Sequence, residues 1–83
     1  MFEKQITIQS EEGLHARPAG LFVKKASEFS CEIELKAKNG TANAKSIMSV
    51  MGLGLDKGAQ VTLVANGVDA SMAIDSLSQL LEA

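Results

Sequence analysis

The chain has no tryptophan and no tyrosine, and only three phenylalanines among its 83 residues. Its core must therefore be built from aliphatic side chains and from some of its four methionines, whose flexible thioethers fill irregular gaps. The same lack removes the stacking platforms that hold single-stranded nucleic acid. Eight basic residues against ten acidic ones give a net charge of −2, so no basic face for a phosphate backbone is expected either. We expect no direct nucleic-acid partner. The one cysteine, Cys31, excludes an intramolecular disulfide and fits a reducing compartment. One cysteine and one histidine do not make a zinc site, which needs three or four nitrogen or sulfur ligands. Neither a metal nor a cofactor is expected. Nor is there an apolar run of membrane-spanning length, and "MFEKQITIQ" has no secretory core. The expected location is the cytoplasm, with no membrane partner.

What the chain does have is 46% hydrophobic residues in regular patterns, the composition of a globule rather than a disordered segment. Its length suits one domain over residues 1–83. Residues 2–9 alternate, with Phe2, Ile6 and Ile8 on one face and Lys4 interrupting it, which predicts a half-buried strand. From Ala16 the period becomes helical: Ala19, Phe22, Val23, Ala26 and Phe29 form one stripe. Cys31, Ile33, Leu35 and Ala37 alternate with charges, and Asn39-Gly40 predicts a hairpin into "TANA". Ser46 can cap a short helix that Gly52 and Gly54 limit. Residues 60–65 read as another strand. Asp69 can cap a last helix striped by Ala70, Ala73, Ile74, Leu77 and Leu80 or Leu81. The order is βαββαβα, an α+β fold whose one-sided strands call for an antiparallel sheet with helices on one face.

The only histidine and the only proline stand together in "GLHARPAG", residues 13–20. Pro18 suits the first turn of a helix, where its missing N–H costs nothing. His15 then lies at or just outside the helix start. A helix N-terminus carries roughly half a positive charge, and its free N–H groups bind anions. That field penalises imidazolium, and a neutral imidazole is a nucleophile. Once phosphorylated, the ring would present a dianion to the first-turn N–H groups and to the Arg17 guanidinium. A histidine two residues before an arginine is also common, and histidine can serve as an indifferent cap. No acid/base partner for His15 is evident in the sequence, which speaks against a free-standing enzyme.

"GLHARPAGLFVKKASEF" together with "AKSIMSVMGLGLDKG" resembles the HPr family of histidine-containing phosphocarriers of the bacterial phosphoenolpyruvate:sugar phosphotransferase system. The likeness runs from about residue 2 to the end. It implies an open-faced β-sandwich with a four-stranded antiparallel sheet in the order 1-4-2-3 and three helices on one face. It also implies that His15 takes a phosphoryl group on Nδ1 from enzyme I and passes it to sugar-specific enzyme IIA domains. Arg17 carries over as the phosphate contact, and the backbone N–H groups of Ala16 and Arg17 as the anion cradle. A shuttle must release what it binds, so one exposed arginine at a helix end is a better holder than a buried site. The expected form is a monomer. Glu12 stands where the family commonly has a small polar residue, and Gly20 lies inside the first helix, at a cost of about 0.5–1 kcal/mol against alanine.

Ser46 has a sufficient structural reason as a cap. "AKSIMSVM" also resembles the version of the family whose serine is phosphorylated by HPr kinase/phosphorylase, and which then binds the catabolite control transcription factor. Two phosphates about 10 Å apart in water repel by about 1.5 kcal/mol before salt screening. That is too weak for a switch, so a phosphate at Ser46 would act by obstructing partner docking. Ile47, Met48 and Met51, with Gly20 and Lys24, are the expected docking residues. Two alternatives stay open: a carrier of the nitrogen-related phosphotransferase branch, and an ACT-like small-molecule regulatory domain.

Overall fold

The computed structural model describes residues 1–82; Ala83, the last residue of the expected domain, lies outside the described residues. Its elements are β1 (Phe2–Thr7), α1 (Ala16–Ala26), β2 (Glu32–Ala37), β3 (Gly40–Asn43), α2 (Ile47–Gly52), β4 (Gln60–Asn66) and α3 (Ala70–Glu82). The strands form one antiparallel sheet in the order β1-β4-β2-β3. β4 thus inserts between the two strands that α1 connects.

Strand alternation decides the two faces. Ile6, Ile33, Leu35, Ala42, Val61, Leu63 and Ala65 are buried on the side that α3 and α2 cover. The opposite face carries Glu3, Gln5, Glu32, Glu34, Lys36 and Thr41. Val64, which pairs with both Glu3 and Glu34, is the buried apolar residue on that face. α1 lies against both α2 and α3 and buries Ala19, Phe22 and Ala26.

Four details depart from the pattern. Phe2 has the inward parity opposite Ala65, yet it is half exposed at the sheet's end. Lys4 shares that parity and resolves it by reaching along α3, where Nζ donates to Ser78 Oγ at 3.3 Å and approaches Glu82 at 3.8 Å. The hairpin turns one residue earlier than Asn39-Gly40 suggests. Ala37 pairs with Gly40, so Lys38 and Asn39 form the loop, and neither has positive φ. Asn39 instead donates from Nδ2 to the Leu53 carbonyl at 3.0 Å, tying the hairpin to the end of α2.

Asp69 is the fourth. Its main-chain carbonyl receives the Ala73 N–H at the start of α3, as a cap position should. Both carboxylate oxygens, however, reach across to accept the N–H groups of Ser30 and Cys31 at 2.8 and 2.9 Å. The Ser30 bond, assisted by those of Cys31, holds the Asp69 carboxyl below the usual carboxylate range. Burial, and then the neighbouring Asp69, push the Cys31 thiol up, as suits a small core hydrophobe rather than a nucleophile.

Candidate functional site

The site is assembled by two loops that run side by side. Ile8 N–H donates to Ala59 O at 2.9 Å, Gly58 N–H to Ile8 O at 2.8 Å, and Leu14 N–H to Leu55 O at 2.8 Å. Lys57 bonds Glu11 at 2.7 Å, and its ammonium holds the Glu11 carboxyl below the ordinary carboxylate range. Gly13 makes the contact possible. Its φ of +62° is a left-handed value, and a Cβ there would run into Leu55 O and stand 2.6 Å from Asp56 Cα.

This zipper delivers Asp56 to His15. His15 is the N-cap of α1, in extended conformation, with no hydrogen bond from its side chain to the helix. Its Nε2 lies 2.7 Å from Asp56 Oδ1 instead. An ionised carboxylate only accepts, so the contact places a proton on Nε2, and in the neutral ring Nδ1 then keeps the lone pair. The ring is exposed, and Nδ1 has no partner among the hydrogen bonds of the described residues. The sequence reading finds no acid/base partner for His15. The structure sets a carboxylate against its ring, and Asp56 is the neighbour that the sequence does not reveal.

The residues after His15 leave hydrogen-bond donors open at the start of α1. Pro18 falls in the first turn of α1, as expected. The N–H groups of Ala16 and Arg17 have no acceptor among the described residues, as the geometry of a helix start requires. Arg17 is exposed, and no carboxylate among the described residues pairs with it. Ala16 sits at φ +29°, a left-handed backbone that an alanine adopts at a cost of about 1–2 kcal/mol. Strain therefore accompanies the turn from the His15 loop into the helix. Glu12 is exposed and shares with Arg17, Pro18, Leu21 and Leu80 the lining of a hollow of about 280 Å³.

Ser46 is the N-cap of α2, its Oγ accepting the Ser49 N–H at 3.3 Å. Of the helix it caps, Val50 is buried, whereas Ile47, Met48 and Met51 are exposed. Gly20 faces this helix closely: a Cβ on it would lie 3.9 Å from Ile47 Cδ1. The expected docking residues Gly20 and Ile47 thus adjoin, and Lys24 is exposed one turn further along α1. Leu21, half exposed beside Gly20, is an apolar surface residue that the sequence reading does not include. Among the described residues no group of histidine, cysteine and carboxylate side chains is placed to hold a metal ion. No helix is long and apolar enough to cross a membrane.

A family model described as the phosphotransferase-system HPr component phosphorylation site matches residues 2–83. The chain belongs to the HPr family. It is 43% identical over 82 residues to the phosphocarrier protein HPr of Vibrio cholerae, covering 99% of this chain and 96% of that one. The solved HPr-C-His of Thermoanaerobacter tengcongensis superposes with a TM-score of 0.95 at 49% identity, covering 99% of this chain and 92% of that one. A structure described as an HPr dimer from the same organism gives a TM-score of 0.77 at 49% identity over 99% and 94% of the two chains. The HPr membership makes this a phosphocarrier of the phosphotransferase system rather than an enzyme, and removes the ACT-like alternative. The HPr fold also accounts for the sheet order.

Proposed function

We propose that His15 is the residue that carries the phosphoryl group, taking it on Nδ1 from phospho-enzyme I and handing it to sugar-specific enzyme IIA domains. The observation that supports this best is the set of groups around the start of α1. Among the described residues, an exposed imidazole with Nδ1 free adjoins two N–H groups without acceptors and an Arg17 that no carboxylate pairs. The N–H groups of Ala16 and Arg17 cradle the phosphate and Arg17 balances its charge. Because the holder is open to water, release costs little, as a shuttle in the cytoplasm requires. Incubation with phosphoenolpyruvate and enzyme I should give an acid-labile, base-stable adduct that His15→Ala abolishes, on a protein that sediments as a single chain. Undiminished labelling of His15→Ala would place the group elsewhere.

Ser46 we assign to regulation, with HPr kinase/phosphorylase as its modifying partner and the catabolite control transcription factor as the reader of the modified form. Its position as a cap explains how a phosphate is tolerated: the start of α2 accepts negative charge. The exposed Ile47, Met48 and Met51 beside it explain the consequence, since charge at the edge of an apolar contact penalises docking. ATP and the kinase should give an acid-stable adduct that is lost in Ser46→Ala. Ser46→Asp, which keeps a capping oxygen, is expected to fold as the parent does. It should accept phosphate from enzyme I about tenfold more slowly, equivalent to ~1.4 kcal/mol at the interface. Equal single-turnover rates for the two proteins would refute the docking explanation.

A further inference from the structure

We propose that Asp56 is a positioning residue for phosphoryl transfer: it fixes the His15 ring with its proton on Nε2 and balances the charge that the ring acquires while loaded. The proposal rests on His15 being the phosphoryl acceptor. Its own basis is the 2.7 Å contact between Nε2 and Asp56 Oδ1, 41 residues apart in the chain.

The electron count of the step shows what the carboxylate does. The Nδ1 lone pair forms the new N–P bond while the donor's bond to phosphorus breaks and its electron pair stays with the donor. Nε2 keeps its proton throughout. A ring bearing phosphorus on Nδ1 and hydrogen on Nε2 is a cation, and the Asp56 carboxylate lies directly against it. On delivery the pair of the N–P bond returns to Nδ1, and the ring leaves as a neutral imidazole still bonded to Asp56. No proton is exchanged in either direction. The same division of labour operates where an aspartate orients a catalytic histidine and stabilises its imidazolium.

The fold shows that this contact is built. Asp56 follows Leu55, whose carbonyl takes the Leu14 N–H at 2.8 Å, and precedes Lys57, which bonds Glu11 at 2.7 Å. The Asp56 carbonyl itself accepts the Ala59 N–H at 3.0 Å. It is therefore flanked by a main-chain bond on one side and a side-chain ion pair on the other, both to the loop that carries His15. The side chains, by contrast, are open to water: His15 is 46% and Asp56 81% exposed. Solvent screening limits such a pair to an effect of about two- to fivefold.

Three proteins decide the matter: the parent, Asp56→Asn and Asp56→Ala, compared by ring nitrogen-15 shifts of His15 and by single-turnover acceptance from phospho-enzyme I at low and high salt. Asparagine keeps an acceptor oxygen and loses the charge. It should retain the Nε2–H tautomer and react about two- to fivefold more slowly at low salt, the difference fading as salt screens the pair. Alanine loses both functions and should also shift the ring towards a mixture of tautomers. An Asp56→Ala protein with the parent's ring spectrum and low-salt rate would overturn the proposal. Slowing of Asp56→Asn that is equal at all salt concentrations would overturn the charge role. Both outcomes are distinct from failure of the His15 assignment, which His15→Ala tests separately.

Discussion

Replacing Gly13 with alanine is expected to lower stability by about 3 kcal/mol or more and to slow phosphoryl acceptance as well. Two costs combine. At φ +62° a side chain brings Cβ against its own backbone, which costs about 1–2 kcal/mol. The new Cβ also collides with Leu55 O and with Asp56 Cα, and these are backbone atoms that no rotamer change can move aside. Relief requires the two loops to part, which breaks the bond from Leu14 N–H to Leu55 O and withdraws Asp56 from His15. A lost buried backbone bond adds about 1–3 kcal/mol. In a chain of this size each kcal/mol lowers the thermal midpoint by about 4–8 °C. Gly54→Ala supplies the control. It has φ +60° with nothing within 4 Å of the added Cβ, so it should lose only about 1–2 kcal/mol. Equal denaturation midpoints for the two variants would show that the loop contact contributes nothing.

Phe22→Ala is expected to cost about 3–5 kcal/mol, the range for removing a buried aromatic ring. Phe22 has no exposed surface and leads the fully buried side chains in size, whereas Phe2 is half exposed and Phe29 only partly buried. The core therefore depends on one ring, set in α1 between Ala19 and Ala26 on the face that packs towards α2 and α3. Those two alanines are too small to swing into the vacated space. A chain of 83 residues has a total stability of about 4–12 kcal/mol, so the loss removes about a quarter of it or more. Phe22→Leu, which leaves less void, should retain most of the stability. Urea titration of both variants is the check. A loss below about 1 kcal/mol for the alanine variant would mean that α1 does not anchor the core as its burial implies.

The difference between what could be read along the chain and what could not follows from the reach of the signals. His15, Arg17 and Pro18 are legible because a helix start is a local event: its free N–H groups, its proline and its exposed arginine lie within four residues. Ser46 is legible for the same reason, as one residue before a short apolar helix. The alternation of Ile33 and Leu35, or of Val61 and Leu63, similarly announces which face of each strand is buried. Asp56 carries no such mark. It is one carboxylate among ten acidic residues, and only the pairing of residues 8–14 with 55–59 brings it to the imidazole. Asp69 looks like a cap from its neighbours, but its carboxylate is claimed by Ser30 and Cys31, which lie on a different connection.

The sequence alone determined the elements, their inward faces, and the histidine and serine at two helix starts, because propensity, periodicity and capping act over a few residues. Tertiary structure decided the rest. The insertion of β4 between β1 and β2 depends on backbone hydrogen bonds between residues far apart in the chain. The partner of His15 depends on two loops meeting at a glycine too small to keep them apart.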